Sequence, residues 1–251
     1  MIDAQSEKTV AQFADQVRVL FGSELVCVAL YGSAVGADFV PGRSNLNFAI
    51  VAERLTFAHL KALHPYMPQW RKLGVATPLL LDRRFLEHGR DVFPMEFHDI
   101  KAQHRVLYGE EVFATLAIDG RHLRYQAEHE VRGKLLRLRT LYAEVGAERK
   151  RLEALMLDSV KTFLIVMRNF IRLRAGQSHT AYLQVLDQFE THFAVHFPTM
   201  RHLIGVKLGR DRWVDGIEDT FRAYLEEVER LVELVDQVMP DREEAVAGAD
   251  G

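Results

Sequence analysis

The chain has 251 residues, 48% of them hydrophobic and 27% charged, with a formal net charge of −3. That length accommodates one large domain or two modest ones, and the charge gives no electrostatic case for general nucleic-acid binding. The single cysteine, Cys27 in LVCVAL, excludes an intrachain disulfide framework and a cysteine-based zinc cluster, and it reads as a small core residue.

The N-terminus, MIDAQSEKTVAQF, has no basic region followed by an apolar core, so it does not read as a signal peptide. No apolar run approaches the ~20 residues of a membrane span. The sequence therefore reads as cytoplasmic. Val10, Phe13, Val17 and Leu20 recur at helical spacing, which predicts an amphipathic helix over about Glu7 to Phe21. LVCVALYG is a short apolar run ending at glycine, the pattern of a buried strand. NLNFAIVA alternates before turning apolar and reads as a second strand. Thr56 to Leu73 reads as one helix with Thr56 as its N-cap. ATPLLLD and VFPMEFHDI read as further strands, with Pro78 and Pro94 implying edges or strand starts. Alternation of this kind predicts an α/β or α+β domain with a small mixed sheet over residues 1–116.

After AIDG the pattern turns helical throughout. Val131, Leu135, Leu138, Tyr142 and Val145 form one apolar stripe, and Leu152, Met156, Val160, Phe163, Met167 and Phe170 form a second. A third runs from Trp213 through Ile217, Phe221, Leu225, Val228 and Leu231 to Val235, and shorter helices are expected near Tyr182–Phe193 and Thr199–Leu208. Such stripes predict an all-α bundle over residues 117–239. The acidic end, PDREEAVAGADG, is expected to be a disordered tail over 240–251. The basic residues between Arg121 and Arg174 are interleaved with acids and read as a solvated helix face.

One corner carries the functional argument. Gly32-Ser33 follows the first strand, eleven residues intervene, and Asn45-Leu46-Asn47-Phe48, preceded by Ser44, opens the second. This resembles the signature of the DNA polymerase β-like nucleotidyltransferase superfamily: a Gly-Ser turn, a spacer, and a strand reading S-D-h-D-h, where h is apolar. The spacer GADFVPGRS, with its Pro41-Gly42 turn, is also similar to that of superfamily members. A helical domain after this one is a common companion, as in aminoglycoside nucleotidyltransferases.

The resemblance implies that Gly32 and Ser33 bind the phosphates of a nucleoside triphosphate. It also implies that positions 45 and 47 are metal positions, where active relatives carry carboxylates that hold Mg²⁺. A third carboxylate would come from a neighbouring strand. Glu96 of PMEFHDI is the first candidate by its place in the chain, on the strand face of His98, and Asp99 is the second. Here the two aspartates are Asn45 and Asn47, whose neutral amides cannot offset the charge of a cation.

Three expectations follow. The first is a nucleotidyltransferase-superfamily protein with a degenerate metal site, binding a nucleotide, another phosphate ligand or a protein with little or no transfer. The second is an active Mg²⁺-dependent enzyme that adenylylates a small molecule or protein, using Glu96, Asp99 or Asp38. The third is a non-catalytic scaffold whose helical domain forms a homodimer or partner interface.

Other patterns rank lower. Arg174 and His179 in RAGQSH resemble the Arg-x4–6-His element of HEPN-type ribonucleases, but Arg83 and His88 share that spacing and Gly176 suggests a helix end. His192 and His196 are spaced i, i+4, yet read as ordinary histidines at a helix end before Pro198.

Overall fold

The computed structural model describes residues 2–238, with side chains through Val235. The tail expected from residue 240 lies outside the described residues. The chain divides into two compact units, one ending at Gln126 and the other beginning at Ala127.

The first unit opens with α1 (Ala4–Phe21), started by Asp3, whose carboxylate accepts from the Ser6 N–H at 2.7 Å. It then forms a four-stranded sheet of β1 (Leu25–Tyr31), β2 (Asn47–Ala52), β3 (Leu79–Asp82) and β4 (His104–Gly109). The strand order is β3-β2-β1-β4; β2 pairs parallel with β3, while β1 pairs antiparallel with β2 and β4. Pro78 immediately precedes β3, an edge strand, as its missing N–H requires.

Strand alternation sends side chains to two faces. Leu46, Phe48 and Ile50 pack with Val10, Phe13, Val17 and Trp70 on the α1 face. Phe13 stacks on Phe48 at a centroid distance of 3.8 Å, and the Trp70 indole N–H donates to Gln16 at 2.8 Å. On the other face, Ala29, Ala49 and Val51 pack with Phe97, Ile100 and Phe113.

Two sequence expectations are corrected in this unit. VFPMEFHDI is no strand: Pro94–Ala102 is a helix, α5, with Pro94 at its start. Proline's missing N–H is harmless there and its fixed φ suits the first turn. The strand beside β1 is instead β4, from HRVLYG, whose exposed Arg105 and Tyr108 dilute its apolar signal. The single helix over Thr56–Leu73 is broken into α2 (Phe57–Leu63), a 3₁₀ turn and α3 (Met67–Lys72). Pro65 and Pro68 lie at that break and lack the donor a continuous helix needs. Thr56 does cap α2, with His59 Nδ1 accepting from the Thr56 N–H at 3.2 Å. A short α4 (Arg83–His88) follows β3, started by the Asp82 carboxylate.

The second unit is helical: α6 (Gly120–Val145, entering from the first unit), α7 (Arg149–Ala175), α8 (Tyr182–Phe193), α9 (Pro198–Lys207) and α10 (Ile217–Val238). Most of the predicted stripe positions are buried, including Val131, Leu138, Met156, Phe163, Phe221 and Val228, while Tyr142, Val145, Trp213, Ile217 and Leu225 are half-buried. Tyr142 stacks on Phe221 at 4.5 Å, and Glu227 of α10 accepts from the Thr199 and Met200 N–H groups that open α9, at 2.7 and 2.8 Å. Trp213 precedes α10 rather than belonging to it, because Gly216 turns the chain at φ +77°. His196 likewise lies beyond α8, which ends at a left-handed Ala194, so it shares no helix face with His192. Gly176 terminates α7 in the left-handed region, which places Arg174 and His179 on opposite sides of a helix end.

Candidate functional site

The candidate site is the corner where β1 ends. Tyr31, the last residue of β1, pairs with Asn47 of β2 on one side and His104 of β4 on the other. Gly32 then turns the chain at φ +75°, a conformation that favours glycine, into a 3₁₀ turn over Gly32–Val35. A Cβ at Gly32 would lie 3.3 Å from the Asn47 amide nitrogen, so the turn sits directly over that side chain. Gly36 is equally constrained, since a Cβ there would come within 1.8 Å of the Gln103 side chain.

The turn is anchored from below. The Gly32 N–H donates to the Gln103 carbonyl at 3.1 Å, and the Gly36 N–H to the Ser33 carbonyl at 3.0 Å. The Gly32 N–H is therefore committed to the protein, whereas the half-buried Ser33 hydroxyl makes no hydrogen bond among the described residues.

Alternation along β2 puts Asn47 on the face of Ala49 and Val51, the one covered by α5. Asn45 precedes the strand and is exposed; it borders a separate concavity with Arg43, Ser44, Arg71 and Lys72. The structure thus brings Asn47 to Gly32 and sets Asn45 at the rim.

Glu96 occupies the first turn of α5 rather than a strand. It is exposed, and on a helix it does not share a face with His98 two residues on. Its Oε2 accepts from the Gln126 amide at 2.8 Å, while the other end of that amide accepts the Met95 N–H at 2.8 Å. Gln126 therefore satisfies an otherwise orphan N–H of the helix start and holds the Glu96 carboxylate in one move. Nothing in the sequence pattern marks Gln126 for this task. Glu96 reaches the corner electrostatically: burial first, and then its negative charge, raise the Tyr31 phenol above its ordinary value. Asp99, the second candidate, and Asp38 both make interactions within the chain.

His104 closes the row. Its Nδ1 lies 2.8 Å from the Ile100 carbonyl and its Nε2 2.8 Å from Glu111, whose carboxylate also accepts from the Phe113 and Ala114 N–H groups. Burial works against the Glu111 charge, but these partners together hold its carboxyl below its ordinary value.

Mg²⁺ usually sits on one or two carboxylates and keeps the rest of its octahedron as water or phosphate. The donors at this corner are the neutral Asn47 amide, the Glu96 carboxylate already bonded to Gln126, and His104 and Glu111 already bonded to each other. Among the described residues, no three of His, Cys, Asp and Glu gather where they could hold a metal ion. The residues present do not fit a two-cation site.

No protein-family model matches the chain, and no curated protein matches it. Among solved structures, spectinomycin adenyltransferase AAD(9) from Enterococcus faecialis, crystallised with ATP and spectinomycin, is similar with a TM-score of 0.58 and 12% sequence identity. The match covers 89% of this chain and 99% of that one. The chain has a nucleotidyltransferase fold. This is what the Gly-Ser turn and its spacing to β2 implied, with a mixed α+β sheet followed by helices. No helix among the described residues is long and apolar enough to cross a membrane.

Proposed function

We propose that this protein is a nucleotidyltransferase-fold phosphate or nucleotide binder with a degenerate metal site and little or no transfer activity. Residues 1–116 form the nucleotidyltransferase-like domain in this reading, and the helices over 117–239 form a separate all-α domain. Ser33 and the Gly32 turn contact the phosphates; Asn45 and Asn47 stand where the metal carboxylates once did, and Glu96 is the remnant third carboxylate. The observation that carries the reading is Asn47 itself, lying against Gly32 on the sheet face that α5 covers.

The physical reason is electrostatic. Two-metal transfer relies on cations to offset charge on the departing pyrophosphate and to activate the attacking hydroxyl. Two neutral amides remove two negative charges from the cation site, and each tenfold of lost rate corresponds to about 1.4 kcal/mol of barrier. Ser33 remains able to donate to a phosphate oxygen, so binding outlasts turnover. ATP is the nucleotide to try first, since the fold neighbour was crystallised with it.

The test is release of pyrophosphate from ATP by the pure protein with Mg²⁺ and a panel of aminocyclitol, hydroxyl and protein acceptors. The expected result is no release above that of a Ser33→Ala variant. Robust Mg²⁺-dependent release would sink the reading and favour the active enzyme.

A further inference from the structure

The concavity beside Asn45 is a separate feature of the first unit. It has a volume of about 510 Å³ and lies where the start of α1, the loop before β2 and the turn after α3 meet. Its lining residues Phe39 and Leu46 belong to the α1-face core. The corner of Tyr31, Asn47 and α5 belongs to the opposite face. The hollow and the corner therefore border opposite faces of one sheet.

Its chemistry is cationic. Arg43, Arg71 and Lys72 line it, all three exposed, and none makes an ion pair or side-chain hydrogen bond among the described residues. The one acid in the wall is Asp3, whose carboxylate is engaged by the Ser6 N–H that opens α1. That leaves a formal surplus of two positive charges (three cations against one carboxylate) around one hollow. Hydroxyls complete the wall: Ser44 Oγ accepts from the Val40 N–H at 3.0 Å, which leaves its own proton to donate, and Ser6 also lines the hollow. Elsewhere in this unit Arg83 is matched to Glu53 and Glu110, and Arg105 to Glu7.

We infer that this hollow is a second anion site, taking a small polyphosphate such as pyrophosphate or the phosphate tail of a nucleotide. Two guanidinium forks match phosphate oxygens in bidentate fashion, and the lysine adds a mobile point charge. A single carboxylate would leave most of these donors unused; a multiply charged phosphate chain engages them together. Gly32, Ser33 and Asn47 do not line the hollow; Asn45 alone is shared with the corner reading.

The experiment is calorimetric titration of the full chain at low ionic strength with sodium pyrophosphate and, separately, ATP. The proteins are wild type, Ser33→Ala, and the triple variant Arg43→Gln/Arg71→Gln/Lys72→Gln. Pyrophosphate should bind wild type, weaken with salt, and bind the triple variant at least about tenfold less tightly, and Ser33→Ala should retain the binding that depends on these cations. The triple variant alters exposed side chains only, and an unchanged thermal melt confirms its fold. ATP titrations separate the two sources of phosphate: affinity for ATP alone at this hollow would make the ligand a nucleotide rather than free polyphosphate. No pyrophosphate or ATP binding by wild type, or equal binding by the triple variant, overturns the inference. Loss of all ATP binding on Ser33→Ala with pyrophosphate binding intact would support both sites, whereas insensitivity to Ser33→Ala alone would count against the corner only.

Discussion

At the scale of single residues the corner depends on a few atoms. Gly32 adopts φ +75° with Asn47 pressed against it, so Gly32→Ala meets both a strained backbone and a crowded amide. The left-handed conformation alone costs a residue with a Cβ about 1–2 kcal/mol, and a lowered midpoint in urea unfolding would register it. Glu111 makes a pH prediction with a definite sign. Its folded-state carboxyl titrates below its ordinary 4.5, so its bonds to His104, Ala114 and Phe113 stabilise the fold above that pH. This contribution is lost as pH falls through the lower, folded value. Glu111→Gln should be less stable than wild type at pH 7, and the gap should close in acid. A gap independent of pH would contradict the assignment. Cys27 is fully buried, and burial, then the charges of Glu111 and Glu110, push its thiol up to about 12. It should resist a thiol reagent in the native protein and react once guanidinium unfolds the chain.

At the scale of elements, α5 is the instructive case. MEFHDI alternates apolar and polar residues well enough to read as a strand, and only Pro94 at its head argues otherwise. In the folded chain that proline starts a helix, and Met95, Phe97 and Ile100 are buried along it. Its first turn is also held by a tertiary partner, Gln126, thirty positions from Glu96 and invisible to local pattern. Gln126→Ala leaves the Met95 N–H without its acceptor and Glu96 without its tether. The expected cost is about 1–3 kcal/mol in thermal or chemical unfolding, with the Tyr31 titration also displaced. The α1 face was more legible, because Val10, Phe13 and Val17 repeat at helical spacing and Leu46, Phe48 and Ile50 alternate to meet them. Trp70, at the end of the broken α2–α3 segment, packs against Phe13 there with ring centroids 4.5 Å apart. Trp70→Ala should cost about 3–5 kcal/mol, the range for emptying an aromatic site in a packed core. The break itself was legible only from Pro65 and Pro68.

At the scale of the whole molecule, the chain combines a nucleotidyltransferase fold with helices over a span that matches nearly all of an adenyltransferase at 12% identity. The fold was readable from Gly32-Ser33 and the spacing to Asn47 because a strand, a tight turn and a returning strand constrain those positions geometrically. Chemistry was less readable. A fold tolerates Asn in place of Asp on an exposed or half-buried strand end, while a cation site does not. The central claim is that the phosphate half of the corner outlived its metal half. It is tested most directly by calorimetric binding of ATP, with and without Mg²⁺, to wild type and to the Asn45→Asp/Asn47→Asp double variant. The account predicts metal-independent binding by wild type and binding strengthened by Mg²⁺ in the variant. Strong Mg²⁺-dependent binding by the wild-type protein would contradict it.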